Sequence, residues 1–543
     1  MMTIGERAWQ LLPQFMSYQS VTQSPGEGEL ARYVHSLLAE NPYFQSHPDY
    51  LHLLPLDAPN KPAVVAALVR GKGDRTIILL SHHDVVGIED YRVFKDLAFD
   101  AEKLTQAFKS NPEILPEAAC ADLESGEWLF GRGTMDMLYG LASHVALIEK
   151  YAANLEELSG NLLLLTVPDE ENNSLGMRHA IGLLRQLQLE HGLDYVAALN
   201  SESHGIVDEG HVIQTGSDGK LLPLIYCVGK ETHAGTIYSG LNSHLLLAEV
   251  TSRLELNPEF CDSVAGEVSF PPTLLVAGDM KEKYNVSTPV AAWGFFNLFT
   301  LAASPQVMMD KLVALCEEAM AAAWDKYRAS TQAWEKIAGK PLSRLEWQPQ
   351  VLTFAELWEQ SLAAHGDELL QNIENLTSRL QAEGTDLQRL TLELVHETHR
   401  HCPNRDPKIV IALAPPYYPH IRNRRETAKE LHVMQAVCDL QAYASELGVR
   451  LKHEEFYLGI SDSSYVSLQD AAEVVEVMKA NCPTWGTAYH LPLEDLSHID
   501  APAVNMGAFG RDIHKFTERI HVPFSREILP KLLERLLHSL LQG

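Results

Sequence analysis

Three apolar runs in this chain end in side chains that bind metal ions or move protons. TIILL (76–80) leads into Ser81-His82-His83-Asp84, LLLLTVP (162–168) into Asp169-Glu170-Glu171, and YVAALN (195–200) into Ser201-Glu202-Ser203-His204. Carboxylates gathered in a partly buried cleft repel one another and lose hydration. Protonation or a bound divalent cation relieves that strain. Histidine beside them shifts the donor set from calcium or magnesium toward zinc. Taken singly, each cluster has a plain alternative: His82 as a packed histidine, Asp169 and Glu171 as caps of the next helix, Glu202 as a solvated loop acid. All of these alternatives must hold together if the three clusters share one sheet edge.

The elements that must position them follow an α/β rhythm. Leu30, Val34, Leu37 and Leu38 recur at helical spacing after the turn Ser24-Pro25-Gly26. Short apolar runs at 63–70, 76–81, 161–167 and 195–199 alternate with helical patterns at 138–152 and 176–188, which predicts a largely buried α/β sheet. In such sheets ligands bind beyond the carboxyl ends of the strands, so distant clusters meet in space. Gly71-Lys72-Gly73 lacks phosphate-loop spacing and reads as a hairpin-like turn. The texture changes near residue 215, becomes strongly helical over about 305–400, and returns to strand and helix from KIVIALAPPYYP (408–419) onward. The expected organisation is therefore a first domain in two pieces, 1–215 and 406–543, around a smaller α/β domain at 216–405 with a helical elaboration.

A formal charge of -29, from 43 Lys plus Arg against 72 Asp plus Glu, repels phosphate backbones and anionic membranes, so nucleic acid is not an expected partner. The seven cysteines are scattered without a Cys-x-x-Cys pair and read as reduced packing residues. No stretch reaches the roughly 18 apolar residues of a membrane span, and a cytoplasmic, unanchored protein is expected. His396-Glu397-Thr398-His399 falls one residue short of a zincin signature, since Arg400 sits where the second histidine belongs, and reads as a helix surface.

Five motifs in order resemble one family. His82-His83-Asp84, Gly131-Arg132-Gly133-Thr134-Met135-Asp136, Asp169-Glu170-Glu171, Gly229-Lys230-Glu231-Thr232-His233-Ala234-Gly235 and Gly510-Arg511-Asp512-Ile513-His514 with Glu518 are similar to those of the di-zinc metallopeptidases of family M20. That family contains aminoacylases, tripeptidases, glutamate carboxypeptidase and succinyl-diaminopimelate desuccinylase. The long helical segment, the PPYYP strand and Gly459-Ile460-Ser461-Asp462 most resemble a bacterial arginine-utilisation branch of it. The resemblance implies a zinc-exopeptidase-like catalytic domain with a mixed, mostly parallel sheet and an inserted lid domain. It implies two Zn2+ per chain, with Co2+ or Mn2+ as substitutes: His82 and Glu202 on one ion, His514 and Glu171 on the other, Asp136 bridging. Each ion then keeps an open position for water, as catalytic zinc requires. Asp84 would fix the His82 imidazole through its other nitrogen. Glu170 would be the general base, and His233 would donate to the oxyanion formed on the attacked carbonyl. In related dimers that histidine comes from the neighbouring subunit, which leaves a homodimer open here.

The implied substrate is a small peptide or an N-acyl amino acid, cleaved at an amide bond. Two features depart from the pattern. Met137 and Leu138 stand where many relatives place a Lys soon after the bridging Asp, and Phe296-Asn297-Leu298-Phe299 occupies the stretch where an Asp-x-Arg would clamp a substrate carboxylate. Arg422-Asn423-Arg424-Arg425 offers a substitute clamp or a solvated helix start. A cis peptide at Asp136-Met137 is a further expectation from relatives. A catalytically altered or regulatory member of the fold and a two-metal phosphoesterase are the rival readings.

Overall fold

The structure is a computed structural model that describes residues 2–207, 210–342, 347–469 and 471–542. It divides into two compact units. The first comprises Met1–Asp218, Ile421–Gln469 and Pro492–Gly543, and the second Gly219–His420 and Asp470–Leu491.

The first unit is built on an eight-stranded mixed sheet, in the order 51–55, 63–70, 161–167, 75–82, 194–200, 503–505, 211–214, 451–454. Its central strands are uniformly apolar because both faces are covered. Ile77, Leu79, Leu162, Leu164, Ala197 and Leu199 lie in one buried cluster with the helices Ile4–Met16, Leu138–Ala153 and Leu529–Leu541. The strands Arg75–His82, Asn161–Val167 and Asp194–Asn200 are adjacent and parallel, with His82 opposite Val167 and Leu80 opposite Asn200. Three chemistry-bearing segments thus leave the sheet side by side at its carboxyl edge, the placement the strand pattern predicts. Gly71–Gly73 does not close a hairpin. Ala63–Arg70 and Arg75–His82 both pair with Asn161–Val167, which lies between them, so the turn must step over an intervening strand.

A second, three-stranded sheet joins Trp128–Phe130 to Gly510–Arg511 through Arg519–His521. Its register pairs Arg519 with Phe130 and so brings the loop ending at Asp136 beside the loop carrying His514. Glu518 binds the two together: its backbone carbonyl accepts from Gly131 N–H at 3.0 Å, and its buried carboxylate accepts from Arg132 Nη1 at 2.6 Å and Met135 N–H at 3.3 Å.

The second unit contains a five-stranded sheet ordered 273–279, 291–300, 219–228, 408–418, 350–353, antiparallel except for its last pair. Helices cover it, among them the long Pro305–Ala338 and the series Phe354–His365, Asp367–Ala382 and Leu387–Arg400. The strand Lys408–Tyr418 differs from the sequence-based boundary at 406. It pairs with Gly219–Val228 over most of its length and belongs to this unit, and the chain returns to the first unit only at Ile421. Its apolar run carries no mark of which sheet it joins. Among the described residues, no helix is long and apolar enough to cross a membrane.

Candidate metal centre

Asp136 lies at the heart of the carboxyl edge, buried at the end of the Gly131–Asp136 loop. One of its oxygens is 3.1 Å from His82 Nε2 and the other 2.9 Å from His514 Nε2. The same nitrogen of each imidazole meets a second carboxylate: Glu202 Oε1 is 3.3 Å from His82 Nε2, and Glu171 Oε2 is 3.0 Å from His514 Nε2. Donor atoms of His82, Asp136 and Glu171 all fall within 4.8 Å of one another. Donors around a tetrahedral zinc at about 2.0–2.1 Å stand roughly 3.3 Å apart, so this spacing suits a shared ion as well as direct hydrogen bonds. His82 Nδ1 donates to the Asp84 backbone carbonyl at 3.0 Å, which orients the ring and leaves Nε2 as the nitrogen that faces the carboxylates and would ligate an ion. His514 adopts a left-handed backbone with φ of 61°, sparsely populated for a non-glycine residue. Its loop is held by Asp512, which accepts from Thr517 Oγ1 at 2.8 Å and is ion-paired to buried Arg519.

Asp84 faces His82 Nδ1 with both its carbonyl and its carboxylate. Its side chain is 3.6 Å from His82 Nδ1, farther than its own carbonyl. The carboxylate also accepts from the N–H groups of Glu170 at 3.2 Å and Glu171 at 3.3 Å, and from Thr22 Oγ1 at 2.9 Å. Glu27, which sequence reasoning missed, extends the pattern: fully buried, it accepts from Asp169 N–H at 2.8 Å and Gln23 N–H at 3.1 Å. Two buried carboxylates therefore hold three successive N–H groups of 169–171, with Asp169 itself left-handed at φ 64°. The peptide after Asp136 is not cis; Pro415-Pro416 is the cis bond of the described chain. Met137 instead starts the Leu138–Ala153 helix, with its Sδ 3.3 Å from His82 N–H.

The electrostatics of the cluster call for positive charge. Burial pushes the Glu170 carboxyl well above its ordinary value; His82 pulls it down, and Glu202, Asp462 and Glu171 add to the push. Glu171 and Glu202 are also raised, again chiefly by burial. Burial opposes charge on both imidazoles as well, yet the facing carboxylates outweigh it and hold His82 and His514 well above the usual histidine range. Glu171 Oε1 is buried with no hydrogen-bond partner. A set of buried acids short of counter-charge, one with an orphaned oxygen, fits divalent cations.

Residues 78–537 match Peptidase family M20/M25/M40. The chain belongs to that family. It is 36% identical over 538 residues to the uncharacterized protein YqjN of Bacillus subtilis, covering 98% of this chain and 96% of that one. To protein RocB of the same organism it is 33% identical over 552 residues, covering 100% and 96%. Both likenesses therefore extend through the helical second unit. Among solved structures, a tripeptidase from Staphylococcus aureus aligns over all of both chains with a TM-score of 0.52 at 11% identity. An M20 family metallo-carboxypeptidase from Sulfolobus solfataricus aligns over 98% and 99% with a TM-score of 0.53 at 12% identity. At such identities the likeness is one of fold.

The M20 pattern also sorts the remaining candidates. His233 lies in the second unit, on the segment following Gly219–Val228, where its Nδ1 accepts from Gly235 N–H at 2.9 Å. In the neutral imidazole this bond puts the proton on Nε2. Arg422 ends the short strand Ile421–Arg422, and Asn423-Arg424-Arg425 form the loop before the helix Ala428–Glu446: Asn423 Nδ2 donates to the Glu430 carbonyl at 2.9 Å, Arg424 N–H to Glu430 Oε1 at 3.0 Å, and Arg425 is ion-paired with Glu455. The near-zincin residues lie on Leu387–Arg400, where His396 Nδ1 is bonded to Tyr226 Oη at 2.7 Å and His399 is buried rather than on the helix surface. Asp462, on the short turn Asp462–Tyr465, is a second residue that sequence reasoning left without a role.

Proposed function

We propose that the chain is a two-metal hydrolase that cleaves an amide or peptide bond in a small substrate, a dipeptide or an N-acyl amino acid. The observation that carries this reading is the sharing of Asp136, one oxygen toward each of two imidazoles at 3.1 and 2.9 Å, with an additional, partly buried acid, Glu170, alongside. His82 and Glu202 would hold one ion, His514 and Glu171 the other, and Asp136 both. Zinc suits the mixed nitrogen and oxygen donors, with cobalt or manganese as substitutes. Such ions, when bound, polarise a carbonyl and lower the pKa of water toward about 7. Glu170 then takes the proton of the attacking water and passes it to the departing amine, a role that its raised affinity for protons suits. Asp84 and Glu27 keep that base in place by holding the backbone on which it sits.

His233 enters as the oxyanion donor through the motif it shares with the family. His233→Ala is expected to lower kcat by roughly 10²–10³-fold while metal content stays unchanged. A variant with full kcat removes the histidine from the proposal. The homodimer belongs to the same reading, supported by the second unit's edge strand Thr273–Asp279, which leaves Leu275 and Val276 about half exposed.

The function is tested by assaying zinc-loaded protein on parallel panels of dipeptides, N-acyl amino acids and phosphoesters. Arginine-containing members follow from the resemblance to the arginine-utilisation branch. Amide cleavage that a chelator abolishes and zinc restores is the expected result. Turnover of phosphoesters alone moves the chain to the other class of two-metal chemistry, and turnover of nothing favours a regulatory role.

A further inference from the structure

Asp462 is 3% exposed, and neither of its carboxylate oxygens has a partner in hydrogen-bond geometry. The Ser174 hydroxyl is near enough to draw its pKa down, but burial prevails. The turn Asp462–Tyr465 packs on the strand ending at His82 and on the helix Leu175–His191 that follows Glu170 and Glu171. Its electrostatic neighbours are His82, Asp84, Glu202 and Glu170. Neither imidazole is spare for it: His82 Nε2 faces Asp136 and Glu202, and His514 Nε2 faces Asp136 and Glu171. Two metal ions held by the five assigned residues leave Asp462 outside the set. A carboxylate buried without a partner is costly, and burial is tolerated where a charge partner arrives. The clamp that would bring an Arg to a substrate carboxylate is also missing from this sequence, where Phe296-Asn297-Leu298-Phe299 stands. The acids at this edge therefore favour a positive group on the substrate over a negative one.

We propose that Asp462 is the specificity residue of the site and receives a cationic group of the substrate, an ammonium or a guanidinium, beside the bond to be cleaved. This rests on the hydrolase reading above and narrows its substrate class. A charge-assisted hydrogen bond to a buried carboxylate contributes about 1.5–3 kcal/mol, or roughly 10–150-fold in affinity.

The test is equilibrium binding by calorimetry to the zinc-loaded full chain in a Glu170→Gln background, expected to keep its ions but not to consume the probes; parent below means this background. The probes are dipeptides matched in shape and differing in charge: lysine against norleucine, arginine against citrulline, and free against acetylated amino terminus. Each pair reports one kind of cation. The parent chain is expected to favour at least one cationic member by about 10-fold or more. Asp462→Asn should bring that ratio to within about 2-fold, and Asp462→Glu should keep most of it. Should the Asn variant fail to fold, as circular dichroism would reveal, Asp462→Ser is read the same way. A parent chain indifferent to charge in every pair, or an Asn or Ser variant that keeps the ratio, overturns the assignment. Metal content and cleavage of the same peptides, measured in parallel, report separately on the hydrolase reading.

Discussion

Glu170→Gln is expected to keep both metal ions and to lose roughly 10²–10⁴ of kcat, the range a positioned general base contributes. The substitution keeps the shape of the side chain and removes only its ability to accept a proton. Glu170 is partly buried with raised proton affinity, and its backbone N–H is held by Asp84 at 3.2 Å, so the replacement should sit where the acid sat. It lies outside the five residues proposed to hold the ions, and so metal content should not follow activity down. Elemental analysis and steady-state kinetics on the same preparation separate the two quantities. Retained kcat with full metal content removes Glu170 as the base; loss of metal along with activity makes it a ligand.

Asp136→Ala should have the larger effect on the site itself. Both imidazoles face this one carboxylate, so its loss takes a donor from each ion at once and leaves His82 and His514 with one carboxylate each. Metal affinity should fall by more than the about 10–100-fold that removal of an outer partner costs, with turnover lost to background. His514→Ala, by contrast, should vacate one position and keep the other. Metal-binding titrations read by competition with a chromophoric chelator distinguish these outcomes. If Asp136→Ala binds two ions with parental affinity, the two halves of the cluster do not share a residue.

The parts of this site that could be read from the sequence are those tied to local pattern. His82, Glu171 and Glu202 each follow an apolar run directly, and runs of that kind become parallel buried strands whose ends align. Asp136 and His514 have no such cue and came from motif likeness alone. What joins them is a three-stranded sheet of very short strands, with a buried Arg132–Glu518 pair whose members are 386 residues apart. Glu27 and Asp462 were invisible for a related reason. An acid in a helix's first turn or after a glycine loop looks solvated until tertiary packing buries it. Local pattern also failed to separate the domains at Lys408–Tyr418, since a strand buried on both faces reads alike in either sheet. Asp84 meets the His82 imidazole mainly through its carbonyl, at 3.0 Å, with its carboxylate 3.6 Å away. A short acid two residues past His82 reaches the imidazole with its carbonyl, leaving the carboxylate to order Glu170 and Glu171.

Crystals of the zinc-loaded protein, with diffraction data collected on either side of the zinc absorption edge, provide the most direct test of the central claim. Two anomalous peaks about 3.5–4 Å apart are expected, one beside His82 and Glu202, the other beside His514 and Glu171, with Asp136 touching both. A single peak, or zinc bound elsewhere with this cluster empty, would contradict the account.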